Sequence, residues 1–257
     1  MSWNPDTYLA FASERTRPAA DLLARVALDK PQWIADLGCG PGNSTALLAG
    51  CWPSATVEGV DSSPEMIARA RESGVHADWQ VHDIAAWNPD RSYDLVFSNA
   101  TYQWLPDHRA LLPRLMRHVA KGGVFAFQVP NNQNAPSHAA MRETAADGPW
   151  AAKLKNVRGV FVETPSAYYD ILAPHASARA GSIDIWTTDY LHVLEGEDAV
   201  FRWVSGTGLR PYLDALAPDE RDAFTAQYKA RLNAAYPRRA DGRTLLPFAR
   251  LFAIARV

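Results

Sequence analysis

The chain has 257 residues, of which 47% are hydrophobic and 21% charged, and its formal net charge is −2. This length and composition suit one large domain with its own core, and the lack of any basic run argues against nucleic acid as a partner. No apolar stretch reaches the length of a membrane span, and the first residues are polar, so we expect neither a span nor a signal peptide. The two cysteines, Cys39 and Cys51, suit neither a disulfide framework nor a metal site, so we expect a cytoplasmic protein without a metal.

Short apolar runs alternate with helix-like stretches through the first half of the chain. They predict strands at 32–37, 56–60, 79–82, 93–98 and 124–129. Helices are predicted at 43–49, with Asn43 or Ser44 as the cap, from Pro64 onward, and at 109–120, closed by Lys121-Gly122-Gly123. This alternation implies right-handed crossovers and a mainly parallel sheet.

The second half of the chain is less regular. Helices are predicted at 136–146, 198–204 and 218–235, and strands at 182–194 and 251–255. Because helices interrupt the late strands, we expect a helical cap over the carboxyl ends of the strands, where open α/β sheets bind ligands. The expected organisation is a single domain, 1–257, with a sheet core at about 30–130 and cap elements within 1–25, 135–180 and 195–245.

A glycine-rich loop, Gly38-Cys39-Gly40-Pro41-Gly42, joins the first predicted strand to a helix. Glycines let a ligand approach the backbone, and the helix behind them offers unpaired amides that would suit a pyrophosphate, although the pattern alone is not specific. The next strands end in Asp61, where a carboxylate can accept ribose hydroxyls, in Asp83, and in Asn99. Each aspartate could instead be a turn cap, but together they favour a nucleoside pocket.

These motifs resemble those of the class I S-adenosylmethionine-dependent methyltransferases. The matching segments cover roughly residues 30–130 and are DLGCGPG from Asp36, VDSSPEM from Val60, Asp83-Ile84 and DLVFSN from Asp94. The resemblance implies a Rossmann-like, mostly parallel sheet with an antiparallel last strand, and S-adenosyl-L-methionine as the cofactor.

The resemblance also implies a role for each matching residue at the methionine end of the cofactor. Gly38 and Gly40 would pass close to the methionine portion, and Asp36 would help to orient it. Asn99 would present its backbone carbonyl to the ammonium group.

At the nucleoside end, the resemblance implies that Asp61 binds the ribose hydroxyls, with Ser62 beside it. Asp83 would take the adenine amino group, and Ile84 would pack on the base or donate its backbone amide.

A narrower resemblance, to trans-aconitate methyltransferases, spans nearly the whole chain. It rests on the segments at 8–23, 99–108, 141–150, 203–213 and 234–252. It implies methyl transfer to one carboxylate of a small tricarboxylate, giving a monomethyl ester. An ionised carboxylate needs no general base, and no nucleophile–base pair is evident, so we expect no catalytic residue beyond those that position the reactants.

Cationic donors are needed for the other carboxylates of such a substrate, and arginine suits them. The candidates in the matching segments, together with two aromatic residues, are Tyr8, Arg15, Arg17, Trp104, Arg142, Arg210 and Arg243. Alternatives stay open: Arg17 could pair with Glu14 or Asp21 on a surface helix, Trp104 could pack in the core, and the arginine content could reflect base composition.

Three other functions remain open from the sequence. A related enzyme could methylate another acid, such as a malonyl thioester on a carrier protein. A nicotinamide-dependent oxidoreductase would normally have a third glycine where Asn43 stands, and Asp36 would be unusual for it. A non-catalytic cofactor-binding module acting through partners is the third, although no obligate protein partner is evident.

Overall fold

The computed structural model describes residues 12–157 and 159–257. Its strands are β1 (Trp33–Leu37), β2 (Thr56–Asp61), β3 (Asp78–Val81), β4 (Tyr93–Asn99), β5 (Val119–Pro130), β6 (Ile183–Glu195) and β7 (Arg243–Arg256). They form one seven-stranded sheet of order β3-β2-β1-β4-β5-β7-β6. Strands β1 to β5 pair in parallel, whereas β7 is antiparallel to both β5 and β6. The expected Rossmann-like sheet with an antiparallel last strand is confirmed.

Helices flank this sheet and cover one of its edges. They are α1 (Ala12–Leu23), α2 (Asn43–Cys51), α3 (Pro64–Glu72), α4 (His108–Met116), α5 (Pro136–Ala146), α6 (Ala151–Leu154), α7 (Pro165–Leu172), α8 (Ala199–Ser205), α9 (Arg210–Asp214) and α10 (Pro218–Ala235). Within the described residues, we find no helix with the length and apolarity needed to cross a membrane.

Both faces of the sheet are buried, which explains why its strands read as nearly continuous apolar runs. In β1, four consecutive residues are buried. One face packs against α4 and α7 through Leu112 and Tyr168, and the other packs against α1 through Ala19 and Leu22. Helices α1 and α7 therefore belong to the sheet layers, although we expected their segments in the cap.

Strands β6 and β7 continue beyond the end of β5. The last pairing between β5 and β7 joins Pro130 to Arg250, whereas β6 and β7 remain paired as far as Glu195 and Arg243. Residues 189–195 and 243–249 thus form a two-stranded projection, which we call the β6–β7 arm. Helices α5, α6, α8, α9 and α10 pack on this arm around a separate hydrophobic core, so the expected cap is present over the carboxyl edge.

Three predicted boundaries were wrong. Helix α2 begins after Gly42, which has a φ of 94° and no side-chain cap, because the hydroxyl of Ser44 donates to Asp36 instead. Helix α4 ends at Met116, and Lys121-Gly122-Gly123 lies within β5, beside an irregularity in its pairing with β4. The last strand is far longer than predicted because its arm segment pairs only with β6.

Candidate active site

A cleft of about 650 Å³ runs along the carboxyl edge of the parallel strands. Its floor comes from the glycine-rich loop and the ends of β2 and β4, and its outer wall comes from the cap. The lining residues are Gly38, Gly40, Pro41, Asp61, Ser62, Met66, Asp83, Ile84, Asn99, Ala100, Thr101, Trp104, Leu105, Val157, Gly159, Thr207, Arg210, Pro211 and Asp214. Seven of the eight predicted cofactor residues are therefore brought together, the exception being Asp36.

Gly38 is required by a close approach between two loops. Its φ is 75°, and a Cβ at this position would lie 2.1 Å from Oγ1 of Thr101. That hydroxyl lies 3.2 Å from the carbonyl oxygen of Gly38 and 3.1 Å from that of Asn99. The missing side chain lets the loop after β1 lie directly against the segment after β4, and this contact shapes the floor of the cleft.

Asp61 acts as both a turn cap and a cleft residue. One of its carboxylate oxygens accepts from the amide of Gly40 at 2.9 Å and the other accepts from the amide of Ser63 at 2.9 Å. A carboxylate offers about four acceptor positions. Asp61 can therefore hold the glycine loop and the start of α3 while still accepting hydroxyl groups of a ligand.

Asp36 lies behind the glycine loop and is fully buried. Its Oδ2 accepts from the hydroxyls of Ser44 and Thr45, each at 2.7 Å, whereas its Oδ1 is buried and has no partner among the described residues. Desolvation raises the pKa of this carboxyl from 3.8 to about 6, against the lowering effect of the two hydroxyls. Asp36 is thus a desolvated carboxyl just behind the cleft, and one of its oxygens has no hydrogen-bond partner among the described residues.

A short turn follows β3 at the end of the cleft where adenine is expected. Asp83 caps this turn by accepting from the amide of Ala85 at 2.8 Å. Arg114 on α4 donates to the carbonyl oxygen of Ile84 at 2.6 Å and so anchors the turn to that helix. Ile84 is buried, which suits a packing role.

The end of β4 is strained. Ala100 has a φ of 54°, a value that costs free energy in any residue other than glycine, and its amide donates to the carbonyl oxygen of Gln128 at 2.8 Å. The Oδ1 of Asn99 is buried and lacks a partner among the described residues. A strained residue and a buried acceptor without a partner among the described residues therefore stand side by side at the edge of the cleft.

A smaller cavity of about 90 Å³ continues from the cleft toward β7, and we call it the inner cavity. It shares Asn99, Ala100, Trp104 and Thr207 with the cleft. Its other lining residues are Gln103, Pro130, Asn132, His138, Val160, Trp203, Val204, Gly208, Phe248 and Arg250. The inner cavity lies between the sheet edge, the β6–β7 arm and the cap.

Arg250 is the inner-cavity residue that sequence reasoning missed. It is only 3% exposed, and its Nη1 donates to Oε1 of Gln128 at 3.1 Å. The available signal was a charged residue inside the otherwise apolar last strand, in the run LLPFARLFAIA. The nearby His138 is neutral near pH 7, because burial lowers its pKa to about 4 and Arg142 adds to the effect.

The predicted substrate residues are only partly brought together. Trp104 and Arg210 line the cleft, and Nε of Arg210 lies 3.6 Å from Oδ2 of Asp214. Tyr8 and the side chain of Arg15 lie outside the described residues.

Three other predicted substrate residues line neither the cleft nor the inner cavity. Arg17 pairs with Asp21 at 3.9 Å and lies over the ring of Tyr190. Arg142 is exposed and donates to a carbonyl oxygen in the preceding loop. Arg243 stands at the far end of the β6–β7 arm, 3.2 Å from a carboxylate of Glu195.

No group of three or more His, Cys, Asp or Glu side chains in the described part of the chain is arranged to hold a metal ion. The candidate site is therefore built from carboxylates, backbone groups, amides and arginines.

Known proteins resemble this chain in sequence and in fold. A family described as "Methyltransferase domain" matches residues 11–175. The "Trans-aconitate 2-methyltransferase" of Azoarcus sp. (strain BH72) is 53% identical over 256 residues, covering 99% of this chain and 98% of that protein. The crystal structure of the YcgJ protein from Bacillus subtilis has a TM-score of 0.59 at 13% identity, covering 93% of this chain and 97% of the other.

A second solved structure, phosphoethanolamine N-methyltransferase 2 of Haemonchus contortus in complex with S-adenosyl-L-methionine, has a TM-score of 0.54 at 19% identity. It covers 93% of this chain and 52% of its own. These two solved structures share the fold of this chain, whereas the trans-aconitate 2-methyltransferase matches its sequence over nearly the full length. The chain belongs to the trans-aconitate 2-methyltransferase family, within the class I methyltransferases.

Proposed function

We propose that this enzyme transfers the methyl group of S-adenosyl-L-methionine to one carboxylate of trans-aconitate, giving its monomethyl ester. The observation that carries the proposal is the continuity of two cavities. A cleft bordered by Asp61 and Asp83 joins an inner cavity whose buried, charged donor is Arg250. A nucleoside with a positively charged sulfonium suits the first cavity, and a small polyanion suits the second.

The residues of the cleft fit this cofactor. The buried Oδ1 of Asn99, a residue that lines the cleft, is an acceptor without a partner among the described residues, and an ammonium group supplies the donor it lacks. The close approach at Gly38 leaves the backbone open to a ligand. When bound, S-adenosyl-L-methionine supplies an electrophilic methyl group on its sulfonium.

The protein itself positions the acceptor and the cofactor and excludes water from the reacting groups. The acceptor carboxylate is ionised at neutral pH and needs no general base. Trp104 and Thr207 lie where the cleft and the inner cavity meet, so they border the place at which acceptor and cofactor would face each other. Alignment of the reacting atoms in a site screened from water can supply most of the acceleration.

The partner that we propose is therefore a small tricarboxylate, and the net charge of −2 does not suit nucleic acid as a partner. We also propose a cytoplasmic location. Methylation of a malonyl thioester on a carrier protein is not favoured, because the full-length relatives carry the name trans-aconitate 2-methyltransferase.

A labelled-methyl assay over a panel of tri-, di- and monocarboxylates tests the proposal. We expect transfer to trans-aconitate above all other acids, and release of the label under mild base, because a carboxyl ester hydrolyses there. Isothermal titration should show binding of S-adenosyl-L-methionine and none of NAD. Preferred transfer to a malonyl carrier protein, base-stable product or binding of NAD alone would each refute the proposal.

A further inference from the structure

We propose that Arg250 binds an acceptor carboxylate that is not methylated, and that Gln128 holds its guanidinium in place. The inference rests on the proposed function for the identity of the acid. Arg250, on β7, is then the residue that favours a substrate with an additional carboxylate.

The position of Arg250 follows from the sheet topology. It pairs with Pro130, the last residue of β5, and therefore lies where the sheet ends and the β6–β7 arm begins. Strand β5 separates β7 from β4, and Arg250 lies two residues along β7 from Phe252, which is level with Asn99, so the backbones of Arg250 and Asn99 are about 12 Å apart at the usual strand spacing. A long arginine side chain and a small acid can together span this distance, with the reacting carboxylate near Asn99.

Arg250 is a buried cation that lines the inner cavity, since the residue is only 3% exposed. Its Nη1 donates to the amide oxygen of Gln128, and its Cζ lies 4.7 Å from the ring centroid of Phe248. A guanidinium carries five N–H donors in a planar fork, so it can hold a carboxylate in addition to its protein contacts.

Two other polar side chains of the inner cavity, Gln103 and His138, attract an anion less than Arg250 does. Nε2 of Gln103 donates to the carbonyl oxygen of Ala100 at 2.6 Å, which leaves Oε1 as a buried acceptor without a partner among the described residues. An acceptor oxygen repels a carboxylate. His138 is neutral at pH 7 and attracts an anion only weakly. Trp203 and Phe248 supply apolar walls for the carbon chain of the acid.

The test is a thermodynamic cycle in which the arginine is removed from the enzyme and, separately, one carboxylate is removed from the substrate. Itaconate, mesaconate and glutaconate each lack a different carboxylate of trans-aconitate. With Arg250→Met, we expect the KM for trans-aconitate to rise about 10- to 100-fold, the effect of losing a charged hydrogen-bonded pair, with a smaller rise for Arg250→Lys. One of the three shorter acids should be nearly insensitive to the substitution, because it already lacks the carboxylate that Arg250 binds.

A readout that does not depend on turnover accompanies the kinetics. Trans-aconitate should raise the melting temperature of the wild-type protein in the presence of S-adenosylhomocysteine, and Arg250→Met should abolish that rise while leaving the affinity for S-adenosylhomocysteine unchanged. Arg243→Met is the matched control, because Arg243 lies on the same strand but at the far end of the arm. If Arg250→Met does not fold, Arg250→Lys and Gln128→Leu replace it.

The outcomes separate the two proposals. A wild-type enzyme active on trans-aconitate whose Arg250 variants lose activity equally with every acid overturns the role of Arg250 and leaves the proposed function intact. A wild-type enzyme that neither methylates nor is stabilised by trans-aconitate overturns the proposed function. In that case, stabilisation by another acid of the panel that depends on Arg250 supports the carboxylate site, and its absence overturns it.

Discussion

The parallel half of the sheet and the capped β6–β7 arm build their parts of the site in different ways. Along β1 to β4, functional residues sit at strand ends and in the loops that follow, and short-range backbone contacts hold them, as Asp61 holds Gly40 and Ser63. In the capped arm, Arg250 is placed by pairing with distant strands and by packing beneath the cap. In our proposal, cofactor recognition therefore depends on local geometry, whereas acceptor recognition depends on how the cap and the arm meet.

The largest effect is expected from Gly38→Ala in the parallel half. The added Cβ would overlap the side chain of Thr101, so we expect loss of several kcal/mol in stability, above the roughly 1–3 kcal/mol of backbone strain, together with loss of cofactor binding. Gly74→Ala is the matched control, since Gly74 has a φ of 76° but no atom within 4 Å of an added Cβ. Equal losses in urea unfolding of the two variants would show that the contact with Thr101 is unimportant.

The charge on Asp36 should make stability depend on pH. Its pKa is raised to about 6, so the folded state binds the proton more tightly than the unfolded chain, and this contribution is lost as pH rises from about 4 to 6. Relative to wild type, Asp36→Asn should therefore gain roughly 2–3 kcal/mol between pH 4 and pH 7 while binding the cofactor more weakly. Urea unfolding at pH 4, 5.5 and 7 measures the gain, and an unchanged difference would contradict it.

Asp61→Ala should weaken cofactor binding by about 1–3 kcal/mol, because hydroxyl contacts and two backbone anchors are lost together. Asp61→Asn retains one acceptor oxygen and should lose less. Isothermal titration with S-adenosyl-L-methionine on folded variants checks both. Unchanged affinity in Asp61→Ala would remove Asp61 from the cofactor site.

Arg210→Ala probes the border between the two regions. Arg210 lines the cleft from α9 but is partly exposed and lies near Asp214, so we expect a moderate rise in the acceptor KM, about 3- to 10-fold, with cofactor affinity retained. Steady-state kinetics in both substrates separates the effects. A rise in the cofactor KM alone would show that Arg210 serves the cofactor and not the acceptor.

The smallest effect is expected for Arg17→Ala on the outside of the sheet. The Arg17 side chain is 70% exposed and its contact with Asp21 is long, so stability should change by less than about 0.5 kcal/mol. The kinetic constants should remain unchanged. A large rise in the acceptor KM would show that α1 reaches the site in the bound state, contrary to its place against the sheet.

Much of the cofactor edge could be predicted from the sequence because its signals are local. A buried strand followed by glycines and a helix, and aspartates at successive strand ends, each lie within a short window. The errors occurred where long-range contacts decide. Asn43 and Ser44 looked like caps for α2, but a buried carboxylate recruits Ser44, and β7 is long because β6 supplies a partner along its whole length.

The sequence by itself determined the α/β alternation and the strand-end residues that border the cleft, because hydrophobic periodicity and turn chemistry act over a few residues. Only the tertiary structure decided which arginines meet the inner cavity. Arg17, Arg142 and Arg243 were candidates because they lie in the segments that match the family, yet none of them lines it, whereas the overlooked Arg250 is buried there. Burial of a charge depends on strands and helices that are distant along the chain, and that information appears only when they pack.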